Sequence, residues 1–231
     1  HLLIPAAIIY KQILEMTGAE MLWIPGIRMC DGIAADYAEK QKYLKFTHNF
    51  DDDILSASRN MAKRYRCNTC HGQKIENYAL QIFDAMKKFH GLGTRERLLI
   101  QIASILHDCG KFISLRDSSA CAYNIIMATE IIGLSHAERE IVAEVVRCNL
   151  DAFRYGEGSI RAGKLTAMLR LANAMDRSHH GRLDDGKLQV KGNKLIISTS
   201  YAGNLALETI AVEDKADFFE EMFGIRPEIR Q

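Results

Sequence analysis

No apolar run in this chain is long enough to cross a bilayer, which takes about 20 residues, and the first residues show neither the charged start nor the cleavage pattern of a signal peptide. Export and membrane anchoring are therefore not expected, and a cytoplasmic location is the default. A net excess of charge is missing too: 30 Lys and Arg stand against 29 Asp and Glu, a formal balance of +1. A chain so balanced projects no overall field to recruit nucleic acid or a membrane surface, so any polyanion site has to be a local cluster. Repeats and low-complexity segments are also absent. With 48% hydrophobic residues, the 231-residue chain can fill the core of one or two globular domains. A disulfide framework is not indicated either. Three of the cysteines (Cys30, Cys67, Cys70, Cys109, Cys121 and Cys148) fall in stretches that read as helix, which fits reduced thiols.

What is present is mostly helical. Leu3 to Met16 reads as a helix stopped by Gly18, Met21 to Ile24 as a short strand before Pro25-Gly26, and Ile33 to Phe46 as a second helix. A break follows at Thr47 to Asp53, whose aspartates can cap the next helix. From there to about Asp176 the chain keeps helical periodicity. Ser135 and Glu138 form a capping box ahead of Ile141, Val142, Val145 and Val146, and Gly133 is expected to end the preceding helix. Beyond Gly181 the pattern changes. Lys187 to Val190, Gly192-Asn193 and Leu195 to Thr199 read as a hairpin, Leu205 to Val212 as a third strand, and Asp214 to Phe223 as a short helix stopped by Gly224. Three domains are expected, at residues 1–46, 47–181 and 182–231.

The run Leu98 to Ile105 is apolar almost all round, as in a buried helix, and it ends in Leu106-His107-Asp108-Cys109-Gly110-Lys111. An imidazole and a carboxylate at such a helix end need a partner, and a metal ion is one. His71 opens a helical stretch carrying Ile75, Ala79, Ile82, Phe83 and Met86, and Asp176 closes one carrying Leu165, Met168, Leu169, Ala172 and Met175. Neighbours on a helix point about 100° apart, so His107 and Asp108 grip an ion from two sides and leave positions for His71 and Asp176. Nitrogen and oxygen donors together suit Mg, Mn, Fe or Zn. The plainer alternative is a degenerate site whose polar groups bond only each other.

The order of a lone His, then His-Asp, then a distant Asp resembles the HD-type metal phosphohydrolases. More widely, Leu106 to Ser114, Leu171 to His179 and Lys215 to Gly224 are similar to the C-terminal half of the exopolyphosphatase/guanosine pentaphosphate phosphatase family. The likeness runs from near residue 1 to the end. It implies a mainly α fold: an HD-type helical domain followed by a small α+β tail. Leu2 to Lys42, with Gly26-Ile27-Arg28, resembles the last helix, strand and helix of the family's actin-like ATPase domain. The chain is then a fragment without that domain's nucleotide-loop and catalytic carboxylate motifs. The resemblance further implies a parent enzyme that hydrolyses phosphoanhydrides in polyphosphate or guanosine pentaphosphate, a homodimer, and no membrane or nucleic-acid partner.

On that reading Asp108 and Lys111 are the catalytic candidates, and Lys111, Arg177 and Arg182 are candidate phosphate ligands, with His179 and His180 close behind. Cations placed there offset phosphate charge, and Arg can bind two oxygens at once. A solvated basic helix end is the equal alternative. Ser118, Cys121 and Asn149 stand where many relatives carry further histidines, which points to one metal ion. Cys67-Asn68-Thr69-Cys70-His71 matches the haem-attachment string, but without export signals the two thiols are expected free and His71 is read as a metal ligand. His48, His90 and His136 are expected at the surface. Two function classes stay open: a metal-assisted phosphohydrolase, and a non-catalytic polyphosphate-binding and dimerisation module.

Overall fold

A computed structural model describes residues 3–45, 48–153 and 160–231. It divides into two compact units, His1–Asn49 and Phe50–Gln231.

In the first unit, α1 (Leu3–Thr17) ends at Gly18, whose φ of +67° suits a residue without a Cβ. Helix α2 (Met29–Lys40) starts four residues earlier than the periodicity predicts, because the Arg28 amide donates to the Asp31 carboxylate at 2.9 Å. The expected strand at Met21 to Ile24 does not form. A lone extended segment leaves its backbone groups to water, and no second strand is present among the described residues of this unit to pair with it. None of the described residues 3–45 is buried.

The second unit packs α3 (Phe50–Arg64), α4 (Thr69–Ala85), the short α5 (Lys87–His90), α6 (Thr94–Leu106), α7 (Ser118–Ala128), α8 (His136–Cys148), α9 (Ile160–Met175) and α10 (Ala206–Phe223) with strands β1 (Lys187–Lys191), β2 (Lys194–Ser198) and β3 (Arg226–Arg230). Asp51, Asp52 and Asp53 lie inside the first turn of α3, favoured there by the helix dipole rather than acting as its cap. Helices α4, α6 and α9 form the centre. Ile75, Ala79 and Ile82 of α4 meet Leu99, Ile102 and Leu106 of α6 and Leu165, Met168 and Leu169 of α9 in one core. The Ser135–Glu138 capping box closes as predicted, with the Ser135 hydroxyl accepting the Glu138 amide at 3.3 Å and the Glu138 carboxylate accepting the Ser135 amide at 2.8 Å. Gly133 does not end α7, which stops at Ala128 where Thr129 turns extended. His90 is a correction as well: it is fully buried, its Nε2–H donating to the Phe83 carbonyl at 3.0 Å and its Nδ1 accepting the Leu92 amide at 2.8 Å. Burial pushes its pKa down and keeps the ring neutral.

The hairpin forms as read, with Lys187 opposite Ser198 and Lys191 opposite Lys194. The third strand is not Leu205 to Val212. That segment is the N-cap and start of α10; Leu205 at the cap and Val212, Ala216 and Phe219 in the helix are buried, and the helix packs against α9. Alternating apolar residues there mimic a strand, but a long helical face was available to cover them. Helix α10 instead carries the chain back to β3, which joins β2 in parallel and takes Pro227 on the sheet's edge, where a missing amide is tolerated. The result is mainly helical with a small three-stranded sheet. Among the described residues no helix is long and apolar enough to cross a membrane.

Candidate metal centre

Three helix ends supply the cluster. His71 lies in the first turn of α4, where its amide donates to the Asn68 cap at 3.2 Å. His107 is the C-cap of α6, and Asp108 precedes a 3₁₀ turn at Cys109–Phe112. Asp176 follows α9 directly. That turn fits only because residue 110 is glycine: a Cβ there would lie 1.8 Å from the Ser118 carbonyl at the start of α7.

The groups meet in a buried space. The His71 Nδ1 lies 2.7 Å from Asp176 Oδ2, and the Gly181 amide donates to Asp176 Oδ1 at 2.8 Å. Gly181 takes φ +64°, and a Cβ at that position would meet both Asp184 and Lys74 at 2.2 Å. The rings of His71 and His107 face each other edge-on with centroids 5.3 Å apart. One ligand atom each from His71, His107 and Asp108 falls within 4.8 Å of the others, and the same holds for His71, Asp176 and His179. His71 is common to both sets. His179 was named from the sequence only as a possible phosphate donor; its ring lies 3.9 Å from that of His71, and its backbone takes the left-handed conformation, φ 60°. A three-residue spacing after Asp176 was the only sequence signal for it, and the turn that makes the spacing effective is not one histidine normally favours.

The electrostatics follow from burial. Desolvation pushes the His107 imidazole below its usual range, outweighing the neighbouring Asp108 charge. Burial also opposes ionisation of Asp108 and Asp176, yet both carboxyls are held below the ordinary range, Asp108 by His107 and Lys111 and Asp176 by His71 and Gly181. The His107 Nδ1–H donates to the Ser104 carbonyl at 2.7 Å, which leaves Nε2 with a lone pair. That Nε2 is buried, has no hydrogen-bond partner among the described residues, and stands 3.4 Å from Asp108 Oδ1. An imidazole fixed through one nitrogen with the other lone pair bare has the donor state that a divalent ion requires. The residues present therefore fit a metal.

Of Lys111, Arg177 and Arg182, the three cations predicted as phosphate ligands, Lys111 alone joins this cluster, its Nζ 2.7 Å from Asp108 Oδ1 and its side chain 45% exposed. Arg182 is engaged elsewhere: it donates to the Asn204 carbonyl at 2.6 Å, lies 3.7 Å from Glu208 and covers the Tyr201 ring. Arg177 lines a cleft between α9 and α10 that none of the cluster residues enters. Cys67 and Cys70 are unpaired thiols, and burial pushes Cys67 up to about 11.

No curated protein matches this chain. The sequence model for domain III of the Ppx/GppA phosphatases matches residues 55–208, two thirds of the chain and the span that holds His71, His107, Asp108, Asp176 and His179. With that match over the helical bundle and its cluster, the chain belongs to the Ppx/GppA phosphatase family.

Proposed function

We propose that the cluster of His71, His107, Asp108 and Asp176 holds a divalent ion (Mg, Mn, Fe or Zn) and serves a phosphohydrolase whose substrates are polyphosphate or guanosine pentaphosphate. The single observation that carries this reading is the bare, buried Nε2 of His107, since a polar atom left unpaired in a core costs about 1–3 kcal/mol unless something binds it. When bound, the ion supplies Lewis-acid polarisation of a phosphoryl oxygen. The protein's own groups do the rest. Asp108 balances the ion's charge, and Lys111, reaching from Asp108 toward solvent, is placed to neutralise and orient an incoming phosphate. Asp176 fixes the His71 ring, and the Ser104 carbonyl fixes His107, so neither imidazole needs to reorganise. His179, on the exposed side beside His71, completes a nitrogen-rich rim that can donate to phosphate.

The test is metal analysis combined with a phosphatase panel on wild type and Asp108→Ala. The variant is expected to lose both bound metal and any phosphate release while its circular dichroism stays helical. Unchanged metal content and turnover would reject the reading. A second reading, a non-catalytic module that grips polyphosphate, draws support from the cluster's self-pairing: both Asp176 oxygens are taken by His71 and Gly181, and Asp108 already holds Lys111. Metal retained with polyphosphate bound but never cleaved would select it. Processive release of phosphate from long-chain polyphosphate is not expected of these 231 residues, because the family's nucleotide-loop motifs do not occur in them.

A further inference from the structure

Helices α9 and α10 diverge over the end of α8 to leave a cleft of about 360 Å³, within the size range of small-molecule sites. Its two halves differ in chemistry. Arg170 of α9 and Arg177, two residues past its end, line the cleft with Lys215 of α10, so three cations stand against the single carboxylate of Asp214. The other half is apolar: Leu150, Leu207 and Ile210 line it while remaining 56%, 55% and 69% exposed. Asn149 also lines the cleft; it is only 5% exposed, and its Oδ1 has no hydrogen-bond partner among the described residues.

These features select a ligand class. Arg170 is committed to the wall, donating to the Cys148 and Asp151 carbonyls and covering the Phe218 ring, so it contributes charge without being spent on the ligand. Lys215 holds Asp214 at 2.6 Å, a surface pair that salt and a competing phosphate can exchange. Arg177 is exposed and, among the described residues, has no carboxylate within ion-pair distance, the state of a guanidinium available to an anion. A buried amide oxygen without a donor asks for an N–H from whatever fills the cleft. An inorganic anion satisfies the cations but neither the amide oxygen nor the apolar wall.

We propose that this cleft binds a nucleoside phosphate, with the phosphate at Arg177 and Lys215, the base against Leu207 and Ile210, and a ring N–H or exocyclic amine on Asn149 Oδ1. The site is separate from the metal cluster and does not depend on it.

Calorimetric titration of the full chain with ADP, GDP and sodium tripolyphosphate, each in EDTA, tests this. One of the nucleotides should bind with one-to-one stoichiometry, unaffected by EDTA or by His107→Ala. Lys215→Glu and Ile210→Glu, at a half-buried and an exposed position of α10, should each weaken that binding about tenfold or more. The proposal is overturned if neither nucleotide binds, if tripolyphosphate alone binds, if both cleft variants bind as wild type does, or if EDTA or His107→Ala abolishes nucleotide binding. Loss of metal from Asp108→Ala is read separately, so failure of the cleft and failure of the metal centre are distinguishable.

Discussion

At the end of α9, two adjacent residues serve opposite surroundings. Asp176 is fully buried and holds His71, whereas Arg177, the next residue, is exposed and lines the cleft against α10. Both follow the last residue of α9, and the turn there sends one side chain inward and the other to the surface. On the buried side each group is held, His71 by Asp176 across two helices and His107 and Asp108 by residues three positions away, and one imidazole nitrogen is bare. The open side has cations, a rim of apolar side chains and one orphaned amide oxygen. Chemistry that needs a dry, preorganised donor set belongs to the first, and reversible capture of an anion belongs to the second.

The comparison breaks most sharply on substitution of the two neighbours. Asp176→Ala strips the His71 ring and the Gly181 amide of their acceptor inside the core, and should cost about 3 kcal/mol in metal-free protein. Arg177→Ala removes an exposed side chain and should stay within about 0.5 kcal/mol. Urea midpoints in EDTA measure both. Equal effects would mean that the buried side is no more tightly built than the open one.

Next in size is Gly110→Ala. The added methyl would have to displace the first turn of α7, since the Ser118 carbonyl is in its way, and a loss of about 2 kcal/mol is expected. Because His107 and Asp108 sit directly before that turn, metal affinity should fall with stability. Binding at the α9–α10 cleft should survive. A variant as stable as wild type, with metal unchanged, would show that the close approach does not position the cluster.

Much of the buried side was legible in the sequence, because helical periodicity identifies core helices and a polar residue at the end of one is conspicuous. The runs leading into His107 and Asp176, and out of His71, each showed this. The open side was not legible in the same way. Arg177 reads as a candidate phosphate ligand because it follows Asp176, with a solvated helix end as the equal alternative, and nothing in the local pattern tells which way its side chain turns. His179 reaches His71 only through a left-handed backbone at its own position, which no propensity favours. His90 is buried because the chain turns back at Gly91 and lays its ring on Phe83, a tertiary event. The start of α10 was read as a strand because its local pattern fits both periods, and the choice was made by α9 lying beside it.

The smallest expected effect lies away from both regions and sharpens the contrast by titrating a group that is neither fully dry nor free. Glu138 accepts from Ser135 at the start of α8 and from Arg95 of α6 at 2.6 Å, so it ties two helix starts together. Arg95 and the capping amide hold its carboxyl down at about 2, against 4.5 ordinarily. A depressed carboxylate contributes stability that is fully present above the unfolded value and is lost as pH falls through the folded one. The contribution should therefore be complete at neutral pH, decline below 4.5 and vanish near 2. Glu138→Gln removes it, so wild type and variant should differ most at neutral pH, by no more than about 1 kcal/mol for a pair this near the surface, and converge in acid. Thermal unfolding of both across that range measures the gap. A gap that widens as pH falls would reverse the sign and reject the pairing as the source of the shift.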